Sequence, residues 1–127
     1  MINRIKKILV VEDEEDIIEL IYAMFDGLVD YETLYARDGE EALKIAQTDK
    51  PNIIVLDIQL PKLNGYELCK FIKSDPAMSQ TKIIMLSGMT QNCDQLKAQQ
   101  VGADEYIRKP FTSTVLIETI DALLKSN

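Results

Sequence analysis

Ile53-Ile54-Val55-Leu56-Asp57 is the stretch that decides the fold: four consecutive apolar residues ending on an acid. A strand-length run with no polar alternation belongs to a sheet covered on both faces, because neither side of the strand meets water. Ile8-Leu9-Val10-Val11 and Ile83-Ile84-Met85-Leu86 have the same character. Tyr31-Glu32-Thr33-Leu34-Tyr35-Ala36 and Glu105-Tyr106-Ile107-Arg108 mix polar and apolar residues. Such strands suit the edges of a sheet, where charge also discourages pairing with other chains.

Helical periodicities lie between these runs. Ile17, Ile21, Met24, Phe25 and Leu28 fall on one face of an amphipathic helix. Asp38-Gly39-Glu40-Glu41 has the form of a capping box and opens a helix that packs Ala42, Ile45 and Ala46. Leu68, Phe71 and Ile72 mark a third helix after Asn64-Gly65. A fourth, from about Thr90 to Gln100, offers Cys93 and Leu96 to the core, and Leu116, Ile120, Leu123 and Leu124 define the fifth. The alternation predicts an α/β fold: a (βα)5 doubly wound parallel sheet, flavodoxin-like, with right-handed crossovers. Apolar central strands flanked by mixed ones favour the strand order 2-1-3-4-5, whose switch point between strands 1 and 3 is where ligands bind.

The chain of 127 residues is expected to be one domain over 1–127, with its core at about 6–125. A hydrophobic fraction of 46% and a charged fraction of 28% are those of a soluble globular protein. No apolar run approaches the roughly 20 residues of a membrane helix, and the run after the basic start is too short for a signal peptide. A cytoplasmic location is the expectation. The net charge of −7 argues against direct nucleic-acid binding, which needs cations to displace counterions. Cys69 and Cys93 have no metal-ligand spacing and are expected to be reduced, partly buried thiols. There is no histidine, which excludes Ser-His-Asp and Cys-His catalysis and His-ligated zinc.

The residues just past the central strands, and past the fifth, carry the chemistry. Glu12 and Asp13 come after strand 1, Asp57 after strand 3, Ser87-Gly88 after strand 4 and Lys109-Pro110 after strand 5. Taken alone, Asp13 is better explained as a helix N-cap. Three acids at adjacent ends of buried strands repel one another and call for a cation. Mg²⁺ fits, since it takes oxygen ligands and usually keeps several waters beside one or two carboxylates. Lys109 is otherwise a solvated lysine before a turn; beside the acids it is a point charge for phosphoryl oxygens. A carboxylate attacking phosphorus with such assistance forms an acyl phosphate, and Asp57 is the expected nucleophile.

At these residues the sequence resembles a response-regulator receiver domain, over roughly Lys6 to Lys125. The acid pair Glu12-Asp13, the run Asp57-Ile58-Gln59-Leu60-Pro61-Lys62-Leu63-Asn64-Gly65, the segment Met85-Leu86-Ser87-Gly88 and the segment Gly102-Ala103-Asp104-Glu105-Tyr106-Ile107-Arg108-Lys109-Pro110-Phe111 carry the likeness in order. The resemblance implies that Asp57 is phosphorylated and that Glu12, Asp13, Asp57 and the Gln59 carbonyl bind Mg²⁺. It further implies that Lys109 contacts the phosphoryl group and that Ser87 and Tyr106 form a switch pair acting on the fourth helix, fifth strand and fifth helix. A cis Lys109-Pro110 bond is implied too, proline being the residue that makes one inexpensive. The implied donor is a phosphohistidine on a sensor histidine kinase or phosphotransfer protein. The implied role is a signalling switch that transfers and hydrolyses only its own phosphoryl group, with phosphorylation-dependent homodimerisation left open.

Departures are small. Leu60 stands where methionine is frequent, Ser87 replaces the commoner threonine and Gly88 the commoner alanine, while Gln59 and Met89 occupy positions beside the phosphoryl group. A haloacid-dehalogenase-type phosphatase needs an acid at Gln59. A flavin-binding domain needs a loop unlike Glu12-Asp13-Glu14-Glu15-Asp16. A pseudo-receiver would have lost an acid, the lysine or the hydroxyl, and all are present.

Overall fold

The computed structural model describes residues 5–28, 30–58, 60, 64–88 and 92–125, of which 92–95 as backbone alone. The elements run β1 (Lys6–Val11), α1 (Glu15–Phe25), β2 (Tyr31–Ala36), α2 (Gly39–Asp49), β3 (Ile53–Asp57), α3 (Gly65–Ser74), β4 (Lys82–Ser87), α4 (Asn92–Gln100), β5 (Glu105–Arg108) and α5 (Ser113–Lys125). The five parallel strands lie in the order β2-β1-β3-β4-β5, as the sequence predicts.

Each central strand divides its apolar residues between two cores. Leu9, Val11, Ile54, Leu56, Ile83 and Met85 face one way and pack with Ala42, Ala46, Leu68, Ile72 and Ala98 of α2, α3 and α4. Ile8, Val10, Ile53, Val55, Ile84 and Leu86 face the other, against Ile21 and Phe25 of α1 and Leu116 and Ile120 of α5. A strand with both faces covered has no use for polar alternation, which is why these runs are continuous. β2 and β5 are less buried, as edge strands should be.

Local signals account for the starts of α2 and α3. Asp38 accepts from the Glu41 amide at 2.8 Å, while the Glu41 carboxylate reaches back to Arg37 N at 2.8 Å, one residue beyond the reciprocal bond of a regular capping box. Asn64 caps α3 by accepting from Glu67 N at 3.0 Å. Glu14, not Asp13, occupies the N-cap of α1 and makes no side-chain cap bond, so Asp13 is left to the site.

Two core assignments need correction. Phe71 is 50% exposed and Leu96 59% exposed. Phe71 sits at the edge of the α3 stripe, past Leu68 and Ile72, and α4 meets the core through the small Ala98. The start near Thr90 and the Cys93 side chain lie outside the described residues.

Cys69 is more deeply buried than expected, with no exposed surface, and its thiol donates to the Val101 carbonyl at 3.5 Å. Burial pushes its pKa up to about 12, with Lys73 opposing and Asp104 adding to the rise. Since the thiolate is the nucleophile, the native thiol should be inert at pH 8. In a Cys93→Ser protein, iodoacetamide should leave Cys69 unmodified until denaturant is added, as read by intact mass. Labelling of the native protein within minutes would contradict this burial.

Candidate functional site

The carboxyl ends of β1, β3, β4 and β5 meet at one edge of the sheet. Asp57 is the last residue of β3, and Ile58 N extends the ladder to Leu86 O at 3.1 Å. Glu12 follows β1 and is anchored by its own amide to Ala36 O at 3.0 Å. Lys109 follows β5, with its amide on Ser87 O at 2.7 Å, and the Lys109-Pro110 bond is cis, as the resemblance implies.

These backbone positions bring the predicted side chains together. Glu12, Asp13 and Asp57 each offer a carboxylate oxygen within 4.8 Å of the others. Glu12 and Asp57 are buried, whereas Asp13 is exposed and leaves one side of the cluster open to solvent. Lys109 Nζ donates to Asp57 Oδ2 at 2.7 Å and to Glu12 Oε1 at 3.2 Å. Ser87 ends β4 and is almost fully buried.

The electrostatics follow from burial and crowding. Burial first, and the Asp57 charge second, raise the Glu12 pKa above the usual carboxylate range, although Lys109 and the Glu14 amide oppose them. For Lys109, burial works against the ammonium. The hydrogen bond and charge of Asp57, joined by Glu12, outweigh it and hold the pKa above the usual lysine value. Three carboxylates against one ammonium leave an excess of negative charge. Hard oxygen donors at this separation, with one side open, fit Mg²⁺.

Tyr106 lies in β5 opposite Met85, and its ring packs against the core shared with α2, α3 and α4. Its hydroxyl is buried and has no hydrogen-bond partner among the described residues. Beside Lys109, Ile17, Leu20, Pro110 and Phe111 line an apolar groove of about 330 Å³. The Gln59 carbonyl and Met89 lie outside the described residues.

Sequence reasoning missed Gly65. It is the first residue of α3, and its amide donates to Ile58 O at 2.9 Å. A Cβ placed there would stand 2.6 Å from the Asp57 carbonyl oxygen, 2.7 Å from Leu56 Cδ1 and 2.8 Å from Ile58 Cα. Gly65 therefore lets α3 start directly against the backbone that carries Asp57. The signal available was a glycine just inside a capped helix start, where other residues serve better.

Comparisons with known proteins agree with this geometry. The response regulator receiver domain family matches residues 8–121. The alkaline phosphatase synthesis transcriptional regulatory protein PhoP of Bacillus subtilis is 42% identical over 120 residues, covering 94% of this chain and 49% of PhoP. The polar-differentiation response regulator DivK of Brucella anthropi is 34% identical over 122 residues, covering 94% of this chain and 96% of DivK. Among solved structures, the receiver domain of a sensor histidine kinase from Pseudomonas aeruginosa, with a magnesium ion coordinated in its active-site cleft, superposes with a TM-score of 0.86. It is 27% identical and covers 95% of this chain and 98% of that one.

The chain spans about half the length of the first curated relatives it matches. These relatives are named as transcriptional regulators, which does not agree with the expectation of no nucleic-acid partner. The negative charge behind that expectation describes this chain's own surface and says nothing of the rest of a longer protein. Among the described residues no helix is long and apolar enough to cross a membrane. By its sheet order, its strand-end residues and its match over nearly the whole length, the chain belongs to the response regulator receiver domain family.

Proposed function

We propose that this chain is a phosphoacceptor switch in which Asp57 takes a phosphoryl group from the phosphohistidine of a sensor histidine kinase or phosphotransfer protein. The observation that carries the reading is the position of Lys109 Nζ, 2.7 Å from Asp57 Oδ2, beside three carboxylates whose oxygens lie within 4.8 Å. An Asp57 oxygen attacks phosphorus, the P–N bond breaks, and its electron pair leaves with the imidazole nitrogen. Lys109 meets charge on the phosphoryl oxygens, and the Ser87 hydroxyl donates to another of them.

Glu12, Asp13 and Asp57 would hold Mg²⁺. Bound there, the ion supplies positive charge that offsets carboxylate repulsion toward an incoming phosphoryl group. Movement of Ser87 toward the phosphate opens space for Tyr106 to shift. The face of α4, β5 and α5 then changes, and a partner selects the altered state. Hydrolysis of the acyl phosphate resets the switch.

Incubation with acetyl phosphate, read by intact mass, tests the reading. A gain of one phosphoryl group is expected with Mg²⁺ and none in EDTA; a gain that ignores the metal overturns it. Metal binding has its own expected outcome. Mg²⁺ at about 100 times its dissociation constant should stabilise the fold by about 2.7 kcal/mol. In a melting scan that is a Tm rise of roughly 10 °C for a domain of this size. Asp13→Asn should remove most of the rise, and an undiminished rise would place the ion elsewhere.

A further inference from the structure

Lys73, in the last turn of α3, takes no part in the chemistry above. Its Nζ donates to the Thr81 carbonyl at 2.8 Å and stands 2.9 Å from Asp104 Oδ2. The same carboxylate oxygen accepts from Ile83 N at 2.8 Å, and Asp104 N donates to Ile83 O at 2.8 Å. The two side chains are only 19% and 23% exposed. A pair whose members are also fixed to backbone is better defined than a solvated surface pair. Gly102, with φ at +93°, carries the chain past the lysine stem, where a Cβ would lie 3.2 Å from Lys73 Cγ.

This cluster lies immediately before the start of β5. β5 has four residues, pairs with β4 alone among the described residues, and has Ile107 as its one buried side chain, still 8% exposed. Its ladder runs from Ile84 opposite Glu105 to Ser87 opposite Arg108, and Lys109 follows directly. A one-residue slip would turn every side chain to the other face, so a strand with so little burial depends on an anchor at its end. α3 links that anchor to the site. Gly65 starts the helix against the Asp57 backbone, and Lys73 grips Asp104 in its last turn, about 12 Å along a stiff helix. Asp57, α3, Lys73, Asp104, β5 and Lys109 thus form a closed loop, completed by the 2.7 Å contact of Lys109 with Asp57.

We propose that Lys73 is a positioning residue for phosphoryl uptake: its ion pair with Asp104 fixes the start of β5 and thereby holds Lys109 against Asp57. The proposal rests on the reading of Asp57 as phosphoacceptor. Lys73→Met keeps a stem over Gly102 and removes the charge. Two quantities are measured: uptake from acetyl phosphate at saturating Mg²⁺, and hydrogen exchange of the amides of residues 106–109. Uptake should slow about tenfold, the scale expected when a reacting group is misplaced by a fraction of an ångström. The amides should exchange about tenfold faster through local opening. Asp104→Asn should act alike, and the double variant should be no worse than either single change.

Ala46→Gly, buried in α2, serves as a control that destabilises the fold away from β5. It should leave uptake unchanged. Normal uptake in Lys73→Met, or equal slowing in Ala46→Gly at a similar Tm loss, overturns the proposal. If the wild type takes up no phosphoryl group, the phosphoacceptor reading fails instead, and exchange in β5 alone then decides whether Lys73 anchors the strand.

Discussion

Asp57→Asn should take up no phosphoryl group from acetyl phosphate, with or without Mg²⁺, while remaining folded. The amide has nearly the shape of the carboxylate, so the close contacts of Gly65 with this backbone are kept. What is lost is the anionic oxygen that attacks phosphorus, and with it one of the three acids able to hold the ion. Stability is set by opposed terms. The substitution takes the ion-pair partner 2.7 Å from Lys109, but it also removes the charge that, after burial, does most to raise the Glu12 pKa. The melting temperature should stay within about 5 °C of the wild type. Uptake by this variant, measured by intact mass, would move the acceptor to another residue.

Gly65→Ala should be the most damaging single-methyl change in the site. Helix propensity alone favours alanine by about 1 kcal/mol. That gain is overwhelmed here, because two of the three atoms within 2.8 Å of the added carbon are backbone, the Asp57 carbonyl oxygen and Ile58 Cα. Neither swings aside as a flexible side chain does. Overpacking of this kind costs roughly 2–3 kcal/mol, a fall of roughly 10 °C in Tm. The relief is displacement of the chain at Asp57, so phosphoryl uptake should slow by about tenfold or more. Gly88→Ala is the matched control: among the described residues nothing lies within 4 Å of its added carbon. A Gly65→Ala protein with normal melting and uptake would show that the loop after β3 yields freely.

Sheet order and site were legible because both depend on short stretches of chain. Ile8–Val11, Ile53–Leu56 and Ile83–Leu86 are buried on both faces, and each leads directly into a site residue. Glu12, Asp13, Asp57 and Lys109 could be brought together once strand order was settled. Tertiary packing hid the rest. Nothing in Asn64-Gly65 says that the helix begins against a carbonyl oxygen, and nothing in Lys73 or Asp104 says that they meet across 31 positions. Leu96 misled for a related reason: α4 is polar and docks through Ala98, so its largest apolar residue is the wrong guide to its buried side.

Matches to both PhoP, about twice as long as the stretch aligned, and DivK, aligned over nearly its full length, show that such domains occur within longer regulators and in short ones. The most direct measurement concerns where the phosphoryl group goes. Wild-type protein is treated with acetyl phosphate and Mg²⁺, the acyl phosphate is reduced with borohydride, and the altered residue is located by peptide mass spectrometry. Reduction at Asp57 alone is the result expected here; a label on Asp13, Glu12 or any residue away from Lys109, or no label, would contradict it.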